Sequence, residues 1–163
     1  SPRSWAFLSD LMSGTKLTTS EISDLAAGTV GEGVSAKFMA HRRYAKDLPD
    51  PVKILTGEET TLKTKEISAM YSLSISLCYE LKADAEKLAK LKGKEYDAAN
   101  VEFHKRVDNF LKFMMSEFQT EMVMMASRTA VKFYQLPIDF GKLGCKEEFT
   151  KKYLKYLMNS DKR

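Results

Sequence analysis

Apolar side chains recur along this chain at spacings of three and four residues, which is the period of an amphipathic α-helix. The longest such stripe comprises Ile67, Met70, Tyr71, Ser74, Leu77, Cys78 and Leu81. Two further stripes comprise Phe103, Val107, Phe110, Leu111 and Met114, and then Met122, Met125, Ala126, Thr129 and Phe133. No segment shows the sustained alternation of a half-buried strand. The pattern therefore predicts an all-α fold of about six to eight helices with no significant sheet.

Helix start and stop signals divide the chain into regions. Ser1 and Pro2 suit a helix N-cap and the first helical position, and Thr18 with Glu21 has the spacing of a capping box. The segment Leu48-Pro49-Asp50-Pro51 is a break, because proline disfavours helix at the residue before it. Three regions are predicted: a small helical subdomain over 1–48, a linker over 49–64 and a C-terminal helical bundle over 65–163.

The first predicted helix carries the only tryptophan. Trp5, Leu8 and Met12 follow Ser1-Pro2 at helical spacing, with other apolar side chains beside them. A buried Trp5 would make the substitution Trp5→Ala cost about 3–5 kcal/mol.

Composition places few limits on function. The 163 residues are 44% hydrophobic and 29% charged, as in ordinary globular proteins. No apolar run of about 18 residues predicts a membrane span. Residues 1–83 hold 10 basic and 10 acidic side chains, whereas residues 84–163 hold 16 and 12. This bias is smaller than in dedicated nucleic-acid binders.

Two isolated cysteines, Cys78 and Cys145, indicate reduced thiols in a cytoplasmic protein.

The chain is poor in residues that carry out acid–base or metal chemistry. His41 and His104 are the only histidines, they lie in different predicted helices, and neither has a cysteine or glutamate at ligand spacing. No phosphate loop of the form GxxxxGK[ST] is present, and Gly28 to Gly33 has the reverse of the dinucleotide-binding order. We interpret these glycines as a tight turn between two helices. The sequence predicts no metal site and no catalytic residue.

Two surfaces could bind a partner. Lys151, Lys152 and Lys155 interleave with tyrosines in the last predicted helix and are candidate contacts for a partner or nucleic acid. The plainer interpretation is a solvated lysine face above half-buried tyrosines. Five methionines cluster in the C-terminal half, and we favour a core role for them over an adaptable binding surface. They are Met114, Met115, Met122, Met124 and Met125.

The segment Ser1-Pro2-Arg3, which opens an amphipathic helix, resembles the sensor-2 motif of MoxR-like AAA+ ATPases of bacteria and phages. The likeness continues through Ala27–Gly33, Ala36-Lys37-Phe38 and Asp47–Pro51. It is closer over residues 1–55 than beyond, where only Asn109 to Gln119 is loosely similar. The resemblance implies an ATP-driven remodelling machine, normally a ring hexamer, whose partners are other AAA+ subunits and an unknown protein substrate.

The resemblance also assigns a role to Arg3. This residue would be the sensor-2 arginine, which reaches the γ-phosphate and couples the nucleotide state to closure of the lid. The family's phosphate loop, magnesium-binding acids, sensor 1 and arginine finger precede sensor 2 and are not in this sequence. ATP and magnesium are therefore implied for a longer parent protein, and we expect this region alone to bind no cofactor and to hydrolyse no ATP. The alternative is a free-standing helical interaction module that binds nucleic acid through residues 84–163. A self-contained helical enzyme is disfavoured because acid–base residues are scarce.

Overall fold

The computed structural model describes residues 1–45 and 47–158, with the side chains of all of these except residues 45, 154, 155, 157 and 158. Eight α-helices and no strand occur in these ranges, so the predicted all-α fold is confirmed. The helices are α1 (Pro2–Met12), α2 (Thr19–Val30), α3 (Glu32–Ala45), α4 (Pro51–Thr56), α5 (Ile67–Leu88), α6 (Gly93–Glu117), α7 (Thr120–Arg128) and α8 (Lys146–Met158). A π-helical turn (Thr129–Phe133) follows α7, and a 3₁₀ turn (Phe140–Lys142) precedes α8. None of the described helices is long and apolar enough to span a lipid bilayer.

The chain forms two compact units, Ser1–Asp47 and Leu48–Arg163. Residues 49–64, interpreted from the sequence as a linker, fold within the second unit. Asp50 caps α4 by accepting a hydrogen bond from the Val52 N–H at 2.9 Å. Ile54 and Leu55 are then fully buried in the core of the second unit. Pro51 does not break α4, because it occupies the first turn of the helix, where its missing N–H is not needed. The burial of Ile54 and Leu55 then holds this segment in the core.

Local signals in the sequence start two of the helices of the first unit and make the turn to the third. The Ser1 hydroxyl accepts a hydrogen bond from the Ser4 N–H at 3.3 Å and starts α1. Thr18 and Glu21 form the predicted capping box at the start of α2. Gly31 has a φ of 91° between α2 and α3, a conformation that favours glycine. Gly28 and Gly33 lie inside helices with negative φ, so a single glycine makes the turn that the sequence predicts from the whole cluster.

The buried side of α1 is centred on Leu8 rather than Trp5. Leu8 is 2% exposed, whereas Trp5 is 40% exposed and meets the Phe38 ring edge-on, with 5.5 Å between ring centroids. Three short helices cover an aliphatic side chain more completely than an indole. The large cost expected for a buried Trp5 therefore does not apply.

We expect Leu8→Ala to destabilise the first unit by about 2–5 kcal/mol, because it leaves a cavity in a closed site. Trp5→Ala should cost less, about 0.5–1.5 kcal/mol for the aromatic pair. Urea unfolding followed by far-ultraviolet circular dichroism measures both changes. A larger loss of stability for Trp5→Ala than for Leu8→Ala would contradict this packing.

The core of the second unit is built chiefly by α5, α6 and α7. On α6, the predicted stripe from Phe103 to Met114 is buried at every position. On α5, the stripe is buried from Met70 to Leu81 except at Tyr71, which is 50% exposed, and Ile67 at its start is 67% exposed. Leu73, which lies off the predicted stripe, is buried instead.

The predicted stripe of α7 is confirmed at Ala126, but the rest of the buried face is shifted by about one residue. The structure buries Val123, Met124, Ala126, Ser127 and Ala130. Phe133, predicted to continue the stripe, is 78% exposed. Both sides of this segment are apolar, so periodicity alone does not choose between them. The π-helical turn also changes the helical period before Phe133 and ends the alignment with α7.

Cys78 and Cys145 are buried free thiols. Burial raises the pKa of each thiol to about 12. Because the thiolate is the reactive form, we expect neither cysteine to react with a disulfide reagent such as dithionitrobenzoate at pH 8 while the protein is folded. Both should react rapidly in denaturant. Rapid labelling of either thiol in the native protein would contradict this burial.

Candidate functional site

Arg3 lies in the first turn of α1, and its side chain is exposed. Within the described part of the chain, no hydrogen bond or ion pair engages its guanidinium. The first turn of α1 contains no acidic residue. A cation near a helix N-terminus opposes the helix dipole, an effect of about 0.3–1 kcal/mol for an exposed group. The position of Arg3 is therefore not explained by the stability of its own helix.

The backbone that carries Arg3 is fixed on both sides. Ser1 caps the helix before it, and Leu8 anchors the helix in the core of the first unit beyond it. The contact between Trp5 and Phe38 joins the same end of α1 to α3. A ligand that binds the Arg3 guanidinium would thus act on a helix that is packed into the first unit.

The candidate lysines lie on α8. Lys151 and Lys152 are exposed, whereas the side chain of Lys155 lies outside the described residues. The Lys152 Nζ forms an ion pair with Glu148 at 2.6 Å, and this hydrogen bond raises the pKa of Lys152. Beside these lysines, Tyr153 is buried and packs on Phe149. The paired carboxylate reduces the positive field of this face and weakens its attraction for an anionic polymer.

The two histidines lie in different units. His104 is buried on α6, its Nδ1 lies 2.8 Å from the Asn100 carbonyl oxygen, and its Nε2 accepts a hydrogen bond from the Asp139 N–H at 2.9 Å. Nδ1 must therefore carry the proton, and both ring nitrogens serve the fold. His41 lies on α3. In the described ranges, no group of three or more histidine, cysteine, aspartate and glutamate side chains is arranged to hold a metal ion.

Asp108 joins α6 to the start of α8. Its carboxylate accepts a hydrogen bond from the Cys145 N–H at 2.7 Å and pairs with Lys112 at 2.7 Å. Partial burial alone would raise the pKa of Asp108, but the hydrogen bonds from Lys112 and Cys145 lower it overall. The pair with Lys112 has the i, i+4 spacing of a helical ion pair, whereas nothing in the sequence indicates the contact with Cys145, which is distant along the chain.

We expect Asp108→Asn to destabilise the second unit by about 1 kcal/mol at pH 7, the difference between a charge-assisted and a neutral hydrogen bond. Because the folded-state pKa is lowered, this stabilisation is present above the unfolded-state pKa of about 3.9 and is lost as pH falls through the folded-state pKa. Urea unfolding of both proteins at pH 7 and at decreasing pH below about 4 should show the difference shrinking. A constant difference at all pH values would contradict an ionised, hydrogen-bonded Asp108.

A groove of about 820 Å³ lies on the second unit, and the sequence pattern does not predict it. We call it the methionine–aromatic groove. It is lined by Ile75, Thr120, Glu121, Met124, Met125, Arg128, Thr129, Lys132, Phe133, Tyr134 and Tyr156. The core role predicted for the five clustered methionines is confirmed for Met114 and Met124, which are buried, and Met115 and Met122 pack partly buried against the core. Met125 is partly exposed in the groove. The helical spacing of Met125 and Phe133 is visible in the sequence, but it is as typical of a buried core face as of an exposed groove.

Comparison of the chain with protein-family models, with curated proteins and with solved structures finds no match. The resemblance to MoxR-like ATPases therefore stays a prediction from the sequence. The environments of Arg3 and of the methionine–aromatic groove are the structural features that bear most directly on function.

Proposed function

We propose that this chain is the helical lid and C-terminal region of a MoxR-like AAA+ ATPase in the cytoplasm. It supplies a sensor-2 arginine, Arg3, to an ATP-driven remodelling machine and contacts neighbouring subunits or the protein substrate. It is not catalytic alone. The observation that carries the proposal is the exposed Arg3 at the capped start of α1, where no acidic side chain in the first turn engages it.

The chemistry of Arg3 suits a terminal phosphate. A guanidinium keeps its charge at physiological pH and forms paired hydrogen bonds with phosphate oxygens. The dipole of α1 opposes the charge of Arg3 but favours an anion at the N-terminal end of the helix. A phosphate at that end would offset both the unpaired guanidinium and the unfavourable dipole. The parent protein's nucleotide-binding core would supply the magnesium ligands.

The packing of α1 suits a relay of the nucleotide state. Arg3 would gain a contact when the γ-phosphate is present and lose it after hydrolysis, which biases two positions of the first unit. Leu8 and the contact between Trp5 and Phe38 attach α1 to the rest of that unit. The unit would therefore move with α1 as one body.

The sequence encoded upstream of Ser1 gives the simplest test. The proposal predicts a GxxxxGK[ST] phosphate loop about one domain, or roughly 200 residues, before Arg3. The purified chain itself should show no ATP hydrolysis above buffer. An upstream sequence without that loop would contradict the proposal.

The alternative is a free-standing interaction module that binds nucleic acid through the basic half of the chain. The pairing of Lys152 with Glu148 weighs against it. Binding to duplex DNA and to single-stranded RNA at increasing salt distinguishes the two functions. The ATPase proposal predicts weak binding with a shallow salt dependence, whereas tight binding that falls steeply with salt would favour the alternative.

A further inference from the structure

The loop that precedes α8 is fastened to α6 by a histidine. The Asp139 N–H donates a hydrogen bond to His104 Nε2 at 2.9 Å. Leu136 and Leu143, at the two ends of the loop, are buried, whereas the residues between them are exposed or half-buried. We call residues 137–142 the tethered loop.

The other backbone hydrogen bonds of the tethered loop are local. Three further N–H groups of the loop donate to acceptors only two or three residues away. In the described part of the chain, the bond to His104 is therefore the one hydrogen bond that joins the backbone of this loop to α6. A segment with few buried contacts opens locally at a low cost in free energy. The bond to His104 thus has a large influence on whether the loop is docked.

His104 can hold the loop only while its imidazole is neutral. Its Nδ1 lies 2.8 Å from the Asn100 carbonyl oxygen, so Nδ1 carries the proton and Nε2 presents a lone pair to the Asp139 N–H. Protonation would turn Nε2 into a donor that faces another donor. It would also place a positive charge on a residue that is 4% exposed. The docked loop therefore requires an uncharged His104.

The titratable groups on the neighbouring elements are engaged by other partners. Arginine and lysine side chains neutralise the carboxylates on α5 and α6, and the carboxylate of the loop accepts a hydrogen bond from the Gly141 N–H. Burial raises the pKa of the thiol before α8 to about 12, which keeps this thiol neutral. Among the described residues, no carboxylate forms an ion pair with His104. These groups are Asp84 on α5, Asp108 on α6, Asp139 in the loop and Cys145 before α8, and the charged Glu102, Lys105 and Lys142 are exposed to solvent.

From this geometry we infer that the tethered loop is a pH-sensitive switch, in which proton uptake by His104 below about pH 6.5 releases residues 137–142 from α6. A histidine exposed to water by the release takes up a proton near that pH, and acid therefore favours the released form. Leu136 and Leu143 keep the two ends of the loop in the core. The inference goes beyond the proposed function and does not depend on it, because every residue involved lies in the second unit.

Hydrogen exchange of the Asp139 N–H, followed by NMR of the ¹⁵N-labelled chain, measures the release. The protection factor corrects the exchange rate for its intrinsic dependence on pH. If the docked loop admits no proton on Nε2, protection of this N–H should fall about 30-fold between pH 7.5 and pH 5. The Cys145 N–H is the internal control, because it is held at 2.7 Å by Asp108, whose lowered pKa keeps the carboxylate ionised over this range. Its protection should stay constant.

Three variants assign the effect to one side chain. His104→Gln supplies an amide that can donate to Asn100 and accept from the Asp139 N–H without titrating, so protection should no longer depend on pH. His41→Gln is the matched control, because it removes the other histidine, which lies on α3 of the first unit. Asp139→Asn removes the carboxylate of the loop and keeps an acceptor for the Gly141 N–H. Both of these variants should retain the pH dependence of the wild type.

A measurement on the wild type tests the switch without any variant. The ¹⁵N shifts of the His104 ring should report a proton on Nδ1 alone at pH 7.5, and protonation of Nε2 should accompany the loss of protection at Asp139. A ring that protonates without that loss would overturn the inference.

Three further results would overturn it. A fall in protection of less than about tenfold would show that the docked loop tolerates the proton. An equal fall at the Cys145 N–H would show that acid opens the second unit as a whole. Loss of the pH dependence in Asp139→Asn would assign the titration to that carboxylate instead of His104.

Discussion

Phe110→Ala is expected to lower the free energy of unfolding of the second unit by about 3–5 kcal/mol. Phe110 is 1% exposed and is the largest of the fully buried side chains. Its removal loses the transfer free energy of the ring and leaves a cavity in the hydrophobic core that close packing prevents from collapsing fully. Domains of this size have a total stability of about 5–15 kcal/mol, so the variant should be close to unfolding under native conditions.

Phe133→Ala is the matched control for this substitution, since the same side chain is removed from an exposed position. Phe133 contacts the Tyr134 ring with 5.3 Å between centroids, so its loss should cost about 1 kcal/mol or less. Urea unfolding monitored by circular dichroism compares the two variants. If Phe110→Ala were no less stable than Phe133→Ala, the assignment of Phe110 to the core and of Phe133 to the surface would be wrong.

The helices and the buried face of α6 are predictable because their signals are local. An apolar stripe with polar residues on the opposite side, such as that from Phe103 to Met114, admits one orientation. The capping box at Thr18 and the cap at Ser1 likewise depend on residues within one turn of each other. These features determine the fold class without any knowledge of tertiary contacts.

The buried side of a helix cannot be predicted from the sequence where the helix is apolar on more than one side. Around α7, Met125 and Phe133 follow helical spacing as well as Val123 and Ala130 do. Only the packing of α5 and α6 selects the buried set, and the π-helical turn interrupts the period. The exposure of Tyr71 on α5 is not predictable for the same reason, because Tyr71 fits the apolar stripe by its spacing.

Contacts between residues that are distant along the chain also cannot be predicted from the sequence. The segment interpreted as a linker becomes part of the core because the Leu55 carbonyl oxygen accepts a hydrogen bond from Asn109 at 2.9 Å, and the Leu62 N–H donates to Glu117 at 3.0 Å. Neither partner is near in sequence. The groove has the same origin, since its lining comes from α5, α7, the π-helical turn and α8.

The role proposed for Arg3 depends on its charge and exposure more than on packing. Its motif is local, so the sequence could identify it as a candidate. The structure adds that the guanidinium is exposed, that the first turn of α1 provides no acid, and that the helix behind it is anchored by Leu8. These properties suit a residue that binds a phosphate held by another domain.

The ATPase proposal predicts that Arg3→Ala in the intact protein reduces ATP turnover by about 100-fold or more, the usual effect of removing one donor from a developing anionic charge. Because the Arg3 side chain is exposed, the thermal stability of the first unit should change little. Arg43→Ala is the matched control, since Arg43 is an exposed arginine in the last turn of α3 of the same unit.

The most direct test of the ATPase proposal is therefore the steady-state ATP turnover of three intact proteins, the wild type, Arg3→Ala and Arg43→Ala, at saturating ATP and magnesium. The proposal predicts a turnover about 100-fold below the wild type for Arg3→Ala and an unchanged turnover for Arg43→Ala. Wild-type turnover in a folded Arg3→Ala protein would contradict it.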